Sequence, residues 1–312
     1  MKMKIFLNKI RKGWSTAFSI LTAIIIIYNC NACSSNSDDD PNPDPPIVVD
    51  PVTPVTELYK NLDFTAIAAH RCYYRKSPEN SLAAIQDALE LGIEFLETDT
   101  QTTSDGVVIL FHDTTVDRMT NGSGLVANMN FGNLSNLNLK NNSNGGVLTE
   151  ETIPTLEQAL LKIKGKNIYI HIEVKDKNFS EVVKVIKKVN MENQVVVFAD
   201  TRDDYDILDA FVGIFIDPVC RNADQFNFYL NRTNTPLLNL AGTQFNANNT
   251  QTARDNNKLT WRGIIGKDED IELISRATST PRLNALIAID PSIIHTDYAD
   301  LMIPYLESKG KR

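Results

Sequence analysis

From residue 65 onward, short apolar runs recur along the chain, and many are followed by stretches whose apolar positions lie three or four apart. The first pattern suits strands and the second suits amphipathic helices. Residues 65–70 form the first strand candidate. Residues 80–91 then read as a helix, with Leu82, Ile85 and Leu89 on one face and Gly92 as its stop. Residues 94–101 are the second strand. Ser104, Asp105 and Gly106 make a tight turn before a third strand over 107–112. A polar stretch rich in Asn and Gly runs to Thr152 and predicts a surface excursion. A helix opens at Pro154, a strand covers 168–175, a helix 182–189 and a strand 195–198. Later strand candidates are 212–217, 236–241, 259–265 and 293–297. These make nine candidates in all, one more than a (β/α)8 barrel needs, so the second half stays unassigned. Alternating strands and helices over this length predict an α/β fold of the TIM-type barrel class. An open doubly wound sheet is the alternative, but no glycine-rich nucleotide loop follows the first strand. No internal repeat is visible.

The start of the chain follows another pattern. Lys2, Lys4, Lys9, Arg11 and Lys12 precede an apolar run over residues 14–28. That run is short against the roughly 20 residues of a membrane-spanning helix, and the combination predicts an export signal. It ends at Cys30-Asn31-Ala32-Cys33, which resembles a bacterial lipoprotein signal and implies that Cys33 is the lipidated first mature residue. An uncleaved signal anchor is the alternative. Residues 33–56 are acidic, then proline-rich, with too little apolar surface to offset the entropy of ordering, and they predict an extended tether. The acidic run after the cysteine resembles the export tag of Bacteroidetes outer-membrane lipoproteins. That resemblance implies a secreted, lipid-anchored protein of the outer membrane, on the cell surface or otherwise on the periplasmic face. The expected domains are therefore a signal over 1–32, a tether over 33–56 and a barrel over 57–312, with an insertion at about 113–152.

Two bulk properties narrow the chemistry. The formal net charge is −8, which argues against nucleic acid as partner, because a phosphate backbone calls for a basic face. A phosphate substrate stays possible where a bound cation reverses the local field. Beyond Cys30 and Cys33 only Cys72 and Cys220 are left, so the chain has no disulfide framework.

All four histidines, His70, His112, His171 and His295, fall in strand candidates. Barrel active sites form at the C-terminal ends of strands, and His70 and His112 each end one. By the period of two, Glu97, Asp99 and Gln101 share a face of the second strand, and His171, Glu173 and Lys175 share a face of the fourth. Burying so many polar groups is costly unless something pairs them. Glu97, Asp99 and Glu173 make a candidate oxygen-ligand set for a hard cation. Taken singly, each feature has a blander explanation as a hydrogen-bonded or solvated residue; their joint order is more specific.

That order resembles the glycerophosphodiester phosphodiesterase family. It is carried by Ala69-His70-Arg71, by the run from Pro78 and Glu79 to Ala84, by Glu97-Thr98-Asp99, by Asp105-Gly106 and by Phe111-His112-Asp113. The run Asp117 to Gly124, Ile153-Pro154-Thr155-Leu156, Ile172-Glu173-Val174-Lys175 and Thr296-Asp297 complete it. The resemblance is dense over about 65–176 and faint between 200 and 290. It implies metal-dependent hydrolysis of glycerophosphodiesters to sn-glycerol 3-phosphate and an alcohol. His70 and His112 would be the acid/base pair, and Glu97, Asp99 and Glu173 would hold one divalent cation, Mg2+ or Ca2+. Arg71 and Lys175 would contact the phosphate, Glu79 would brace the site through Arg71, and Trp261 would cap the glycerol unless it is a packed aromatic. The attacking group, water or the glycerol 2-hydroxyl, stays open, as does oligomeric state.

The chain departs from the family pattern in three places. Cys72 stands where glycine is usual, His171 where asparagine is common, and the late tryptophan motif is blurred around Trp261. Cysteine at position 72 predicts ordinary backbone torsions, a free thiol and a sulfur either bordering the pocket or buried and inert. His295 and Asp297 read as structural. Rival functions are a related barrel phosphodiesterase acting on intact phospholipids and a non-catalytic ligand-binding lipoprotein.

Overall fold

A computed structural model of the chain describes residues 52–60, 62–275 and 280–312. In chain order the strands are β1 (Ala66–Ala69), β2 (Phe95–Thr102), β3 (Val108–Leu110), β4 (Asn138–Asn141), β5 (Val147–Thr152), β6 (Tyr169–Val174), β7 (Val195–Ala199), β8 (Phe215–Cys220), β9 (Leu237–Leu240), β10 (Leu259–Gly263) and β11 (Ile293–Thr296). Eight of them, β1, β2 and β6 to β11, pair in parallel in sequence order, and β1 pairs with both β2 and β11 to close the barrel. The third of the nine strands predicted from sequence is the exception. β3 lies antiparallel to β2, with Thr100 opposite Leu110, and is a hairpin return rather than a barrel stave. Periodicity finds a strand but carries no direction, which is why one candidate too many was visible.

Helices fill the connections. The first, α1 (Leu82–Leu91), starts where the Ser81 hydroxyl accepts a hydrogen bond from the Ala84 amide, a cap worth about 1 kcal/mol. It stops at Gly92, whose φ of +74° a side chain would resist. Two of the insertion's elements, α2 (Phe131–Leu134) and the β4–β5 hairpin, belong to the stretch between β3 and the next helix, α3 (Leu156–Ile163). This insertion has its own small core of Val116, Met119, Val126, Leu134 and Leu139. Helices α4 (Phe179–Lys188), α5 (Arg202–Asp209), α6 (Ala223–Leu230), α7 (Ala247–Asp255), α8 (Asp268–Ser275), α9 (Pro281–Ile289) and α10 (Ala299–Ser308) follow the later strands.

The barrel interior is layered. Its lower layer is apolar: Ala68, Phe95, Tyr169, Val196, Leu237, Leu259, Trp261 and Ile293. A short 3-10 helix, Val55–Lys60, plugs the N-terminal end of the strands, with Val55 and Leu58 buried against that layer. The Tyr169 hydroxyl donates to the Thr53 carbonyl at 2.6 Å. Residues 52–56 are thus packed into the barrel base, which corrects the tether boundary expected at 56. The sequence pattern missed it because two apolar residues among prolines carry no period. The export signal, Cys33 and the tether up to residue 51 lie outside the described residues.

Candidate active site

The polar upper layer begins where β1 stops. β1 pairs with β2 only at Phe95 and Leu96, which leaves the upper edge of β2 free. β3 descends along that edge, and the Phe111 amide donates to the Asp99 carbonyl at 3.0 Å. The segment carrying His112 therefore runs back beside β2 to the strand ends, where the charges of Arg71 and Lys175 reach its imidazole. The Gln101 side-chain amide, on the inward face of β2, donates to the carbonyls of His112 and Asp113 and pins this approach.

His70 is not in β1 but opens the turn His70–Cys72 just beyond it. Its Nδ1 lies 2.6 Å from Asp297 Oδ1, and its Nε2 is 3.9 Å from Glu97 Oε2. Burial opposes a charge on this ring, but the Asp297 hydrogen bond and the neighbouring carboxylates outweigh burial and raise its pKa. His112 is more open. Its Nδ1 lies 2.7 Å from Asp113 Oδ1, while burial, with the charges of Arg71 and Lys175, holds its pKa below the usual imidazole value.

Glu97, Asp99 and Glu173 converge, with ligand oxygens all within 4.8 Å of one another. The parallel register β2–β6 causes this by placing Asp99 beside Glu173. Glu97 accepts from the Arg71 backbone amide at 3.0 Å. Burial works against its charge, yet the contacts with His295 and His70 and that amide keep its pKa low. Asp99 is pushed the other way by burial and by Glu97 beside it. The Lys175 ammonium lies 2.9 Å from Glu173 Oε1 and 3.7 Å from Asp99 Oδ1, so a cationic group already stands against the carboxylate set. An all-carboxylate group of this spacing fits a hard divalent cation. Arg71 reaches Glu79 at 3.0 Å and Asp99 at 3.6 Å.

Several sequence expectations need correction here. Cys72 has φ +64°, between Arg71 at +49° and Tyr73 at +73°, so its torsions are left-handed and not ordinary. Each such non-glycine residue costs roughly 1–2 kcal/mol, which gives a physical reason for glycine at this position. The strain is held by the Asn80 amide, which donates to the Arg71 carbonyl at 3.0 Å. The Cys72 thiol is fully buried in the core outside the barrel, its pKa pushed up by burial, and does not border the mouth. Of the two placements left open for this sulfur, the buried one holds, because β1 has already ended at Ala69. Cys72 and Cys220 are both free, as expected. Trp261 is 1% exposed and packs in the interior layer below the site, stacked on His171 at 4.3 Å and edge-on to Phe95, so as placed it does not cap a ligand at the open mouth. His171, the register neighbour of Glu97, pairs with Asp217 at 3.0 Å.

Sequence reasoning missed four neighbours of the site. Asp297 touches His70 and is no mere structural residue. His295 Nε2 lies 3.6 Å from Glu97 and has no hydrogen-bond partner among the described residues. Asn80 donates to Asp99 Oδ2 at 3.0 Å and accepts from the Thr98 hydroxyl at 2.7 Å. Arg118 reaches both Glu79 and Asp113. Their motif positions were visible; their contacts cross up to 227 residues of sequence.

Comparison with known proteins agrees with this arrangement. Residues 70–220 match the profile of the Glycerophosphoryl diester phosphodiesterase family. A glycerophosphodiester phosphodiesterase of Caldanaerobacter subterraneus is 34% identical over 139 residues, covering 43% of this chain and 57% of that protein. Human glycerophosphodiester phosphodiesterase 1 is 35% identical over 137 residues, covering 44% of this chain and 41% of that protein. The matched segment thus spans about half the length of these relatives. Among solved structures, a glycerophosphoryl diester phosphodiesterase from Parabacteroides distasonis superposes with a TM-score of 0.70 at 20% identity, over 84% of this chain and 94% of its own. An Oleispira antarctica phosphodiesterase in complex with the product sn-glycerol-3-phosphate gives 0.62 at 19% identity, over 78% and 97%. At such identities these two speak for the fold. Residues 70–220 of this chain are thus similar in sequence to the glycerophosphoryl diester phosphodiesterase family, and the chain shares the barrel fold of these solved structures.

Proposed function

We propose that the chain is a secreted phosphodiesterase that cleaves glycerophosphodiesters to sn-glycerol 3-phosphate and an alcohol. The observation that carries this reading is the convergence of two histidines, two cationic side chains and a three-carboxylate set at one barrel mouth. The relatives' names supply the substrate class. Arg71 and Lys175 contact the phosphate, the first with a planar fork suited to its oxygens and the second as a point charge. Glu97, Asp99 and Glu173 would hold one Mg2+ or Ca2+, which polarises a phosphoryl oxygen when bound. His112, its pKa below the usual imidazole value, takes the proton of the attacking group, either water or the glycerol 2-hydroxyl, the second route needing a further water to open the cyclic phosphate. His70, kept in orientation by Asp297, then protonates the departing alkoxide. The test is product analysis with purified residues 52–312. Glycerol 3-phosphate should appear from soluble glycerophosphodiesters while intact bilayer phospholipid stays uncleaved; headgroup release from bilayers alone would move the reading to a lipid-cleaving relative.

We also infer that Cys33 carries a lipid that holds the protein at the outer membrane. The support is the signal-like start and the small residue before the cysteine. Cys33→Ala should leave the protein in the soluble fraction; the variant still sedimenting with membranes would favour an uncleaved anchor.

A further inference from the structure

Arg118 stands in the insertion, outside the strands that carry the site, yet it joins the two halves of that site. Its Nε donates to Asp113 Oδ2 at 2.6 Å and its Nη2 to Asp113 Oδ1 at 2.9 Å. Its Nη1 and Nη2 donate to Glu79 Oε2 and Oε1 at 3.1 and 2.7 Å. One planar guanidinium is thus bidentate to two carboxylates at once. Asp113 Oδ1 is also the partner of His112 Nδ1, at 2.7 Å. Glu79 Oε1 is also the partner of Arg71 Nη1, at 3.0 Å. The result is a continuous chain of contacts from the phosphate-binding Arg71 through Glu79, Arg118 and Asp113 to His112. Glu79 is 7% exposed. Two cations share it, so neither can leave without stranding part of a buried charge.

We propose that Arg118 is a positioning residue that sets the orientation and proton affinity of His112 through Asp113 and ties it to the phosphate-binding Arg71 through Glu79. Both Asp113 oxygens are engaged by the guanidinium, so the carboxylate cannot rotate, and only one fixed oxygen faces the imidazole. That fixes Nδ1 as the tied nitrogen and leaves Nε2 for the reacting proton. The guanidinium also tempers the negative charge that the imidazole feels, and the Asp113 pKa, drawn down to about 2 chiefly by its hydrogen bond to Arg118, reflects the strength of that grip. The charged groups facing His112 are Asp113 from its own segment, Arg71 from the turn after β1 and Lys175 from the end of β6. Arg118 acts behind the first of these. Lysine cannot replace it, because an ammonium cannot fork to two carboxylates.

This inference rests on the phosphodiesterase reading for its effect on turnover, but its direct readout does not need activity. The experiment follows the His112 imidazole resonances by NMR titration in the full barrel, residues 52–312, with His112→Gln to assign them. Arg118→Met removes a cation and frees the Asp113 charge, so the His112 pKa should rise; Arg118→Lys should give a smaller rise. Asp113→Asn removes the anion and should lower it by about 1 unit or more, the usual reach of an adjacent opposite charge. The acid limb of kcat/KM should move in the same two directions. Opposite shifts in the two kinds of variant would support the assignment. If His112 titrates unchanged in Arg118→Lys and Arg118→Met, Arg118 is only a structural clamp and the proposal fails. Should Arg118→Met not fold, Arg118→Lys and Asp113→Asn decide alone: a rise with a fall supports it, and any other pair overturns it. Lost turnover in every protein, with the shifts intact, would instead count against the proposed reaction.

Discussion

Alanine at His112 should lower kcat by at least about 10²-fold while the protein stays folded, and alanine at His70 should do the same. A positioned proton-transfer group contributes roughly 10²–10⁴-fold, and the two histidines meet at the mouth from separate segments, so neither can replace the other. The fold should survive in His112→Ala because this side chain is 31% exposed and its partner Asp113 keeps Arg118. His70 is less free, since its loss leaves Asp297 with one partner fewer inside the mouth. His70→Ala should therefore also show a modest fall in melting temperature, and His70→Asn should recover stability without recovering rate. Steady-state kinetics beside thermal melts separates these effects. A folded His112→Ala enzyme with near-normal turnover would remove the proposed acid/base pair.

Stripping divalent cations should abolish turnover and lower thermal stability, and Mg2+ or Ca2+ should restore both. The reason is geometric. Three carboxylates whose oxygens lie within 4.8 Å of one another repel, and two of them, Glu97 and Asp99, are buried where water screens little. Lys175 and Arg71 offset part of that repulsion from one side only. A ligand held at 100 times its Kd stabilises a fold by about 2.7 kcal/mol, which for a domain of this size corresponds to a melting shift of roughly 5–10 °C. Melting curves and initial rates on one chelated and re-loaded sample check both halves. Undiminished turnover in protein shown to be free of divalent ions would end the metal-dependent reading.

These expectations draw unequally on sequence and structure. Glu97 and Asp99 were legible as a shared face because a strand has a period of two, and β2 runs unbroken from Phe95 to Thr102. Glu173 was legible for the same reason on β6, and the parallel register then places it beside Asp99. Where the backbone leaves regular structure the same reasoning fails. Cys72 was expected to have ordinary torsions and left with two placements for its sulfur; the left-handed run at Arg71, Cys72 and Tyr73 overturns the first and decides the second for the core. Trp261 was a candidate for the mouth, but its strand position sets it one layer down, against His171 and Phe95. Asp297 was set aside as structural, because a predicted barrel sets the last strand beside the first without saying which side chains meet across that seam.

By itself the sequence determined the class of fold, the polar faces of two strands, the ordered motif set and the absence of a disulfide framework. All of these depend on residues near one another in the chain, where periodicity and residue chemistry act directly. Only the tertiary structure decided which predicted strand was a hairpin return and where the chain plugs the barrel base. It alone decided that Asp297 serves His70 and that Arg118 spans Glu79 and Asp113. Those contacts depend on barrel closure, which brings β11 against β1, and on the early end of β1, which frees an edge of β2 for β3. Closure and edge pairing are set by the packing of the whole barrel, and packing has no period that a linear sequence can display.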